Sequence, residues 1–127
     1  MGENLSILVV DDYQPLVTSL AEVLNREGFE VKTANSAAEA LEIVEDYPVD
    51  IMLTDIMMPD MNGVELYRET KKIKPSLTAV LMTAYSAEGL IQEGVKEGIT
   101  AVVDKPVDIK FLLALFGTIT RIKPKVN

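Results

Sequence analysis

Short aliphatic runs alternate along the chain with longer stretches in which apolar residues recur every three or four positions. The runs are three to six residues long, and apolar and polar side chains do not alternate strictly within them. That pattern is typical of parallel strands covered on both faces. It predicts five strands: Ile7–Val10, the weaker Phe29–Ala34, Ile51–Thr54, Ala79–Met82 and Ala101–Val103.

Each predicted strand is followed by a segment with helical periodicity. The first helix is predicted from one apolar face, formed by Leu16, Leu20, Val23 and Leu24, before Gly28 at the position of a C-terminal cap. The last three helices are predicted to cover Gly63–Lys74, Ala87–Glu97 and Asp108–Arg121.

The second and fifth helices can be specified further. Ser36 is the predicted N-cap of the second helix, and Glu39 is expected to complete a capping box. The apolar face of the second helix is predicted to comprise Ala37, Ala40, Leu41 and Val44. The apolar face of the fifth helix is predicted to comprise Phe111, Leu112, Leu115 and Ile119.

Five strand–helix units in succession predict a single doubly wound α/β domain with a five-stranded parallel sheet. No linker, repeat or low-complexity segment interrupts them, and 127 residues suffice for one core. We assign residues 1–122 to this domain and residues 123–127 to a C-terminal tail or the start of a linker.

Polar residues stand where the predicted strands end. Asp11 and Asp12 follow the first strand, Asp55 the third, Thr83 the fourth, and Lys105 comes at the end of the fifth. In doubly wound sheets the ligand site lies beyond the carboxyl ends of the strands, where the strand order reverses. Strand order 2-1-3-4-5 gathers the three acids on neighbours about 4.8 Å apart, whereas order 3-2-1-4-5 would separate them. The acids therefore favour the flavodoxin-like (βα)5 order 2-1-3-4-5.

The composition excludes several kinds of chemistry. Without histidine there is no Ser–His pair or histidine metal ligand, and without cysteine there is no disulfide or thiolate metal site. The net charge of −8 argues against direct binding to nucleic acid or to an anionic membrane. No stretch approaches the roughly 18 apolar residues of a membrane span, and no signal-peptide pattern opens the chain. We therefore expect a cytoplasmic domain.

Three carboxylates at one point would partly protonate unless a cation held them. Oxygen ligands select a hard divalent ion, and few protein ligands with several retained waters suit Mg²⁺. Such an ion beside an aspartate, a hydroxyl and a lysine is suited to a phosphoryl group, which a carboxylate can take up as an acyl phosphate. Lys105 would supply a mobile positive charge, and Thr83 would donate a hydrogen bond.

Four segments resemble the signatures of the response-regulator receiver domain. They are VVDD (9–12), LTDIMMPDMNG (53–63), MTAYS (82–86) and DKPVD (104–108). The resemblance extends from about Leu5 to Ile122. Four motifs in this order and spacing are far more specific than any one of them alone.

The resemblance implies a role for each acid. Asp55 would be the phospho-acceptor. Asp12 would bind Mg²⁺ directly and Asp11 largely through water, with the backbone carbonyl of Met57 as a further ligand. Gly63 would open the third helix after the family's loop.

The resemblance also implies how the signal passes. Lys105 would pair with the phosphoryl group and precede Pro106 through a cis peptide bond, and Thr83 would be the switch hydroxyl. The phosphoryl donor would be a histidine kinase or a histidine phosphotransfer protein in trans, since this chain has no histidine. The domain would catalyse its own phosphotransfer and dephosphorylation only, and a homodimer formed on phosphorylation is compatible with the family. The sequence does not specify the downstream output domain or protein.

Two positions depart from the family's pattern. Val102 stands where Tyr or Phe is frequent, and Asp104, directly before Lys105, could compete for its ammonium. Because Val102 cannot report activation as a moving ring, we expect Tyr85 and the loop around it to do so, or else merely to shield the acyl phosphate.

Three other functions are compatible with parts of the pattern. A haloacid-dehalogenase-type phosphohydrolase would need a second acid two residues after its nucleophile, where this chain has Met57 or Tyr13. A flavodoxin-like binding module would need a first loop rich in Ser, Thr and Gly. A receiver-like scaffold that is never phosphorylated typically lacks the acceptor, an acid or the lysine.

Overall fold

The computed structural model describes residues 5–84 and 87–122, with side chains up to residue 119. Strands and helices alternate in the order β1 (Ser6–Val10), α1 (Gln14–Arg26), β2 (Glu30–Ala34), α2 (Ala37–Asp46), β3 (Ile51–Asp55), α3 (Gly63–Ile73), β4 (Thr78–Thr83), α4 (Glu88–Glu97), β5 (Ala101–Asp104) and α5 (Ile109–Ile122). Every predicted strand and helix is present. Within the described residues no helix combines the length and apolarity needed to cross a bilayer.

The strands form one parallel sheet in the order β2-β1-β3-β4-β5. This is the order that the clustering of acids predicted. The central strands β3 and β4 are buried at every position, which explains why apolar residues fill most of both strands without alternation. Edge strand β2 alternates between exposed and partly buried residues before ending at the buried Ala34, and its pattern in the sequence is correspondingly weaker.

Helices cover both faces of the sheet. The face under α1 and α5 is filled by one apolar cluster, to which the helices contribute Val17, Leu20, Leu24, Leu112, Phe116 and Ile119. The opposite face is filled by two further clusters under α2, α3 and α4, to which the helices contribute Ala37, Ala40, Val44, Val64, Leu66, Tyr67, Leu90 and Ile91.

One prediction for the fifth helix is wrong, because Phe111 does not belong to its buried face. Phe111 is 55% exposed, whereas Phe116 is fully buried and packs edge-on against Phe29 with ring centroids 5.8 Å apart. The buried positions Leu112, Phe116 and Ile119 follow the helical spacing i, i+4, i+7, and Phe111 lies outside that stripe.

Helix ends follow the sequence closely, with one correction. Gly28 has a φ of 101°, in the left-handed region that favours glycine after a helix. Ser36 Oγ accepts the N–H of Glu39 at 3.1 Å, as predicted, but the Glu39 carboxylate accepts the N–H of Asn35 at 2.7 Å. The expected capping box is therefore incomplete at Ser36. A complete one begins α3, between Asn62 and Glu65.

The first residue of α3 lies against the end of β3. The Gly63 N–H donates to the Ile56 carbonyl at 2.8 Å. A Cβ atom at Gly63 would stand 2.6 Å from the backbone oxygen of Asp55, closer than real Cβ contacts allow. Glycine is therefore required here for the close approach of two backbones.

We expect Gly63→Ala to lower the free energy of unfolding by about 2 kcal/mol, because either β3 or α3 must shift to admit the methyl group. Gly89→Ala is the matched control, since a Cβ there meets nothing within 4 Å. The control should leave stability unchanged or raise it by up to about 1 kcal/mol. Urea unfolding measures both, and equal stability of Gly63→Ala and the wild type would contradict the prediction.

Candidate functional site

The carboxyl ends of β1 and β3 bring the three acids together. Val10 pairs with Thr54 in register, so Asp11 and Asp55 stand side by side at the same edge of the sheet. One carboxylate oxygen from each of Asp11, Asp12 and Asp55 lies within 4.8 Å of the others. An oxygen-only donor set of this kind fits a hard divalent cation.

The acids differ in how far they are buried. Asp11 is 1% exposed and Asp55 is 7% exposed, whereas Asp12 is open to solvent. Asp11 Oδ1 accepts the N–H of Tyr13 at 3.0 Å, and its Oδ2 accepts from the ammonium of Lys105 at 2.6 Å. Both oxygens of the most buried acid therefore have a donor, which fixes the orientation of its carboxylate.

Lys105 links β5 to the acids. Its ammonium lies 2.6 Å from Asp11 Oδ2 and 3.3 Å from Asp55 Oδ1. The Lys105–Pro106 peptide bond is cis, as the resemblance implied. Asp104 is exposed, and the ion pairs that this ammonium forms with described residues are those with Asp11 and Asp55.

Burial and like charge act together on Asp55. Desolvation raises the pKa of its carboxyl above the usual range, and the charge of Asp11 raises it further, while Lys105 and the Met57 N–H lower it only in part. Burial alone would lower the pKa of Lys105, but its hydrogen bond to Asp11 and the charges of both acids outweigh that effect and raise it. In the metal-free site the lysine is therefore favoured in its charged form, and Asp55 ionises less readily than an exposed aspartate.

The backbone around Asp55 is held from three sides. The Asp55 carbonyl accepts the Thr54 hydroxyl at 3.1 Å, and the Ile56 N–H donates to the Met82 carbonyl at 2.9 Å. The Met57 N–H approaches Asp55 Oδ1 at 3.5 Å, a long contact. These contacts leave the Asp55 side chain facing the space above the sheet.

An open cleft of about 250 Å³ lies over the acids, and its lining includes Asp11, Asp12, Tyr13, Asp55, Ile56, Met57, Ala84 and Lys105. Its size suits a phosphoryl group with a hydrated ion. Of the sequence-predicted residues, the four charged ones and Met57 line this cleft.

Thr83 is buried at the carboxyl end of its strand. It is the last residue of β4, 4% exposed, and pairs in register with Asp104. Among the described residues, it is Ala84 rather than Thr83 that forms the β4 side of the cleft. The role of Thr83 as the switch hydroxyl stays a prediction.

Of the two positions considered for reporting activation, the structure describes Val102 but not Tyr85. Val102 is half-buried and packs against the cluster of Ile56, Val64 and Leu81 under α4. Tyr85 and Ser86 lie outside the described residues, so the hypothesis about Tyr85 stays a prediction.

Two acids outside the cleft were missed by the sequence analysis. The Asp60 carboxylate accepts the N–H groups of Ala37 and Ala38, at 3.3 Å and 3.1 Å. Glu97, at the end of α4, pairs with side chains of α3. No local motif marks either residue, because the partners lie more than 20 residues away in the sequence.

Glu97 connects the end of α4 to α3. Its carboxylate lies 3.0 Å from Arg68 Nε and 2.9 Å from Lys71 Nζ, and its carbonyl accepts from Lys71 at 2.7 Å. Hydrogen bonds from Lys71 and Arg68 lower the pKa of Glu97, and Glu97 in turn raises the pKa of Arg68.

Several known proteins are similar to this chain. A response regulator receiver protein of Anaeromyxobacter sp. is 38% identical to this chain over 85% of the chain's residues. The aligned residues span 45% of the length of that protein. The sporulation initiation phosphotransferase F of Bacillus subtilis is 36% identical over 84% of this chain and 86% of its own length. A CheY-like receiver domain protein from Methanospirillum hungatei has a TM-score of 0.88 and 31% identity, covering 91% of this chain and 93% of its own.

The family described as the response regulator receiver domain matches residues 7–116, most of the chain. This match agrees with the five-stranded order, the acid cluster and the lysine at the end of β5. The chain belongs to the response regulator receiver domain family.

Proposed function

We propose that this domain accepts a phosphoryl group on Asp55 in the presence of Mg²⁺, from the phosphohistidine of a histidine kinase or a histidine phosphotransfer protein. The observation that supports this most directly is the cluster of three carboxylates within 4.8 Å, joined to the Lys105 ammonium. The similar protein from Bacillus subtilis is named a phosphotransferase, which agrees with this chemistry.

The residues at the cleft fit a magnesium ion. Three carboxylates and one ammonium leave the metal-free site with two uncompensated negative charges, which one divalent ion would balance. Asp11, Asp12, Asp55 and the carbonyl of Met57 would hold it, with Asp11 acting largely through water. When bound, the ion supplies positive charge opposite Lys105 for the oxygens of the transferred group.

Asp55 is the nucleophile in this proposal. One of its carboxylate oxygens forms the new bond to phosphorus while the bond from phosphorus to the donor's imidazole nitrogen breaks, and the imidazole leaves with that electron pair. The donor must act in trans, since this chain has no histidine. The Lys105 ammonium lies 3.3 Å from Asp55 Oδ1 and would pair with an oxygen of the transferred phosphoryl group.

Phosphorylation then changes the balance of charge at the sheet edge. It adds about −1.5 to −2 of charge and strong acceptor oxygens at Asp55. Lys105 would exchange part of its contact with Asp11 for the phosphoryl group, and Thr83 would rise from its buried position to donate to it. Their movement would alter the surface beyond β4 and β5, which is read by an output domain or protein or by a second copy of the chain.

The competing enzyme is not favoured by the site. A haloacid-dehalogenase-type hydrolase needs an acid two residues after its nucleophile, and Met57 is there, 52% exposed. We therefore propose that the domain turns over only its own phosphoryl group, as a switch acting in the cytoplasm, with neither nucleic acid nor membrane as its direct partner.

The acceptor can be identified chemically. With Mg²⁺ and acetyl phosphate, we expect one hydroxylamine-labile phosphate per chain, and Asp55→Asn should abolish it because no acyl phosphate can form. Asp104→Asn, an exposed acid beside Lys105, is the control and should keep the label. Intact-mass spectrometry counts the phosphates, and wild-type labelling of Asp55→Asn would overturn the proposal.

The metal site can be tested separately. Asp12→Ala should weaken Mg²⁺ binding by about 10-fold or more and slow phosphorylation, because it removes the most exposed of the three carboxylates. Circular dichroism should show an unchanged fold. A magnesium titration followed by amide chemical shifts gives the affinity, and an unchanged value would show that the ion binds elsewhere.

Asp55 also makes stability depend on pH. The pKa of Asp55 in the folded protein lies above the ordinary 3.8. The contribution of Asp55 to the free energy of unfolding is therefore fully present below pH 3.8 and is lost as the pH rises through the folded pKa. In EDTA at pH 7, we expect Asp55→Asn to be more stable than the wild type by about 1 kcal/mol, through relief of charge repulsion.

The gain from Asp55→Asn should shrink as the pH is lowered through the raised pKa of Asp55, because the wild-type carboxyl then takes up a proton. Asp104→Asn removes the same charge from an exposed position and should change stability by less than about 0.5 kcal/mol. Urea unfolding at several pH values measures both variants. A loss of stability in Asp55→Asn at pH 7 would contradict the expectation.

A further inference from the structure

Side chains from two different parts of the chain cap the N-terminus of α2. Ser36, the residue before the helix, accepts the N–H of Glu39 at 3.1 Å. The N–H groups of Ala37 and Ala38 donate instead to Asp60, one to each carboxylate oxygen, at 3.3 Å and 3.1 Å. A single carboxylate from a distant loop thus takes two of the orphan donors of this helix and faces its positive end.

Asp60 belongs to the loop between β3 and α3, which also includes Met57 at the cleft. The far end of this loop is fixed to α3 by the capping box of Asn62 and Glu65. Met58 and Met61 pack partly against the apolar cluster under α2, but apolar packing does not set the direction of a backbone carbonyl. The hydrogen bonds of Asp60 are directional and join the middle of the loop to α2.

The link between Asp60 and Met57 is short and stiff. Only Met58 and Pro59 separate them. Proline fixes its own φ and restricts the residue before it to extended conformations. A displacement of Asp60 is therefore passed on to the backbone of Met57 rather than absorbed between them.

We propose that Asp60 is a positioning residue for the Mg²⁺ site: by holding the β3–α3 loop against the N-terminus of α2, it sets the Met57 carbonyl at the acid cluster. The inference rests on the proposed function, in which that carbonyl is a ligand. Asp60 itself does not touch the ion.

The test is a Mg²⁺ titration of the full chain followed by amide and carbonyl chemical shifts. Asp60→Ala should weaken Mg²⁺ binding by about 10-fold, the size seen when groups that orient ligands are removed. It should also reduce the shift change at the Met57 carbonyl on adding Mg²⁺. Asp60→Asn, which keeps an amide oxygen as acceptor but loses the charge and the second oxygen, should lie between Asp60→Ala and the wild type.

Ser36→Ala is the matched structural control. It removes a cap from the same helix end, and the free energy of unfolding should fall in both alanine variants, but the Ser36 hydroxyl accepts its hydrogen bond from Glu39, within α2, and not from the β3–α3 loop. Its Mg²⁺ affinity should therefore equal that of the wild type. Asp104→Asn controls for the loss of one negative charge and should also leave the affinity unchanged at 0.15 M salt, where exposed charges are screened beyond about 8 Å.

Wild-type Mg²⁺ affinity in Asp60→Ala would overturn this inference and leave the proposed metal site standing. An equal loss in Ser36→Ala would also overturn it, because the effect would then come from α2 and not from the loop. An equal loss in Asp104→Asn would assign the effect to charge alone. Absence of Mg²⁺ binding by the wild type would overturn the proposed metal site, and this inference with it.

Discussion

The direct pairing of β1 with β3 is the constraint on which the site depends. It places the buried carboxylates of Asp11 and Asp55 side by side at the carboxyl edge of the sheet, where like charges repel. The Lys105 ammonium, directly after β5, and the Tyr13 N–H offset that repulsion, while the third acid, Asp12, is open to solvent. The repulsion that remains lowers the stability of this edge, and in the proposed function a cation and then a phosphoryl group would relieve it.

The rest of the fold keeps this edge rigid by backbone contacts rather than by bulky side chains. Gly63 brings the start of α3 against the carbonyl of Asp55, and the Ile56 N–H ties the end of β3 to β4. Asp60 connects the following loop to α2. Strand β3 is therefore supported from the neighbouring strand and from the helices on one face, while the cleft itself stays open.

Much of this arrangement follows from the sequence, because burial of the strands on both faces leaves continuous apolar runs and burial of the helices on one face leaves a helical period. The apolar runs of β3 and β4, and the acids that end β1 and β3, were enough to predict the strand order. Phe111 and Phe116 show the limit: both are apolar, and the sequence does not say which one Phe29 will contact. Asp60 and Glu97 show another, since their partners depend on which loops and helices meet in three dimensions. Thr83 was correctly placed at a strand end, but no local pattern records that Ala84, rather than Thr83, lines the cleft among the described residues.

The two ends of α4 are held differently, because Glu97 forms its ion pairs at the last turn. Within this fully described helix only Gly94 is buried, close to the end that Arg68 and Lys71 hold, whereas Ala87 at the start provides no side-chain cap. Ten residues of α-helix extend about 15 Å. Because its last turn is held by ion pairs and its first turn has no side-chain cap, we expect α4 to move more readily at its first turn than at Glu97. A displacement of about 2 Å at the first turn would tilt the helix by about 8° over that length. The ion pairs at Glu97 would then convert a short local movement into a change of helix direction.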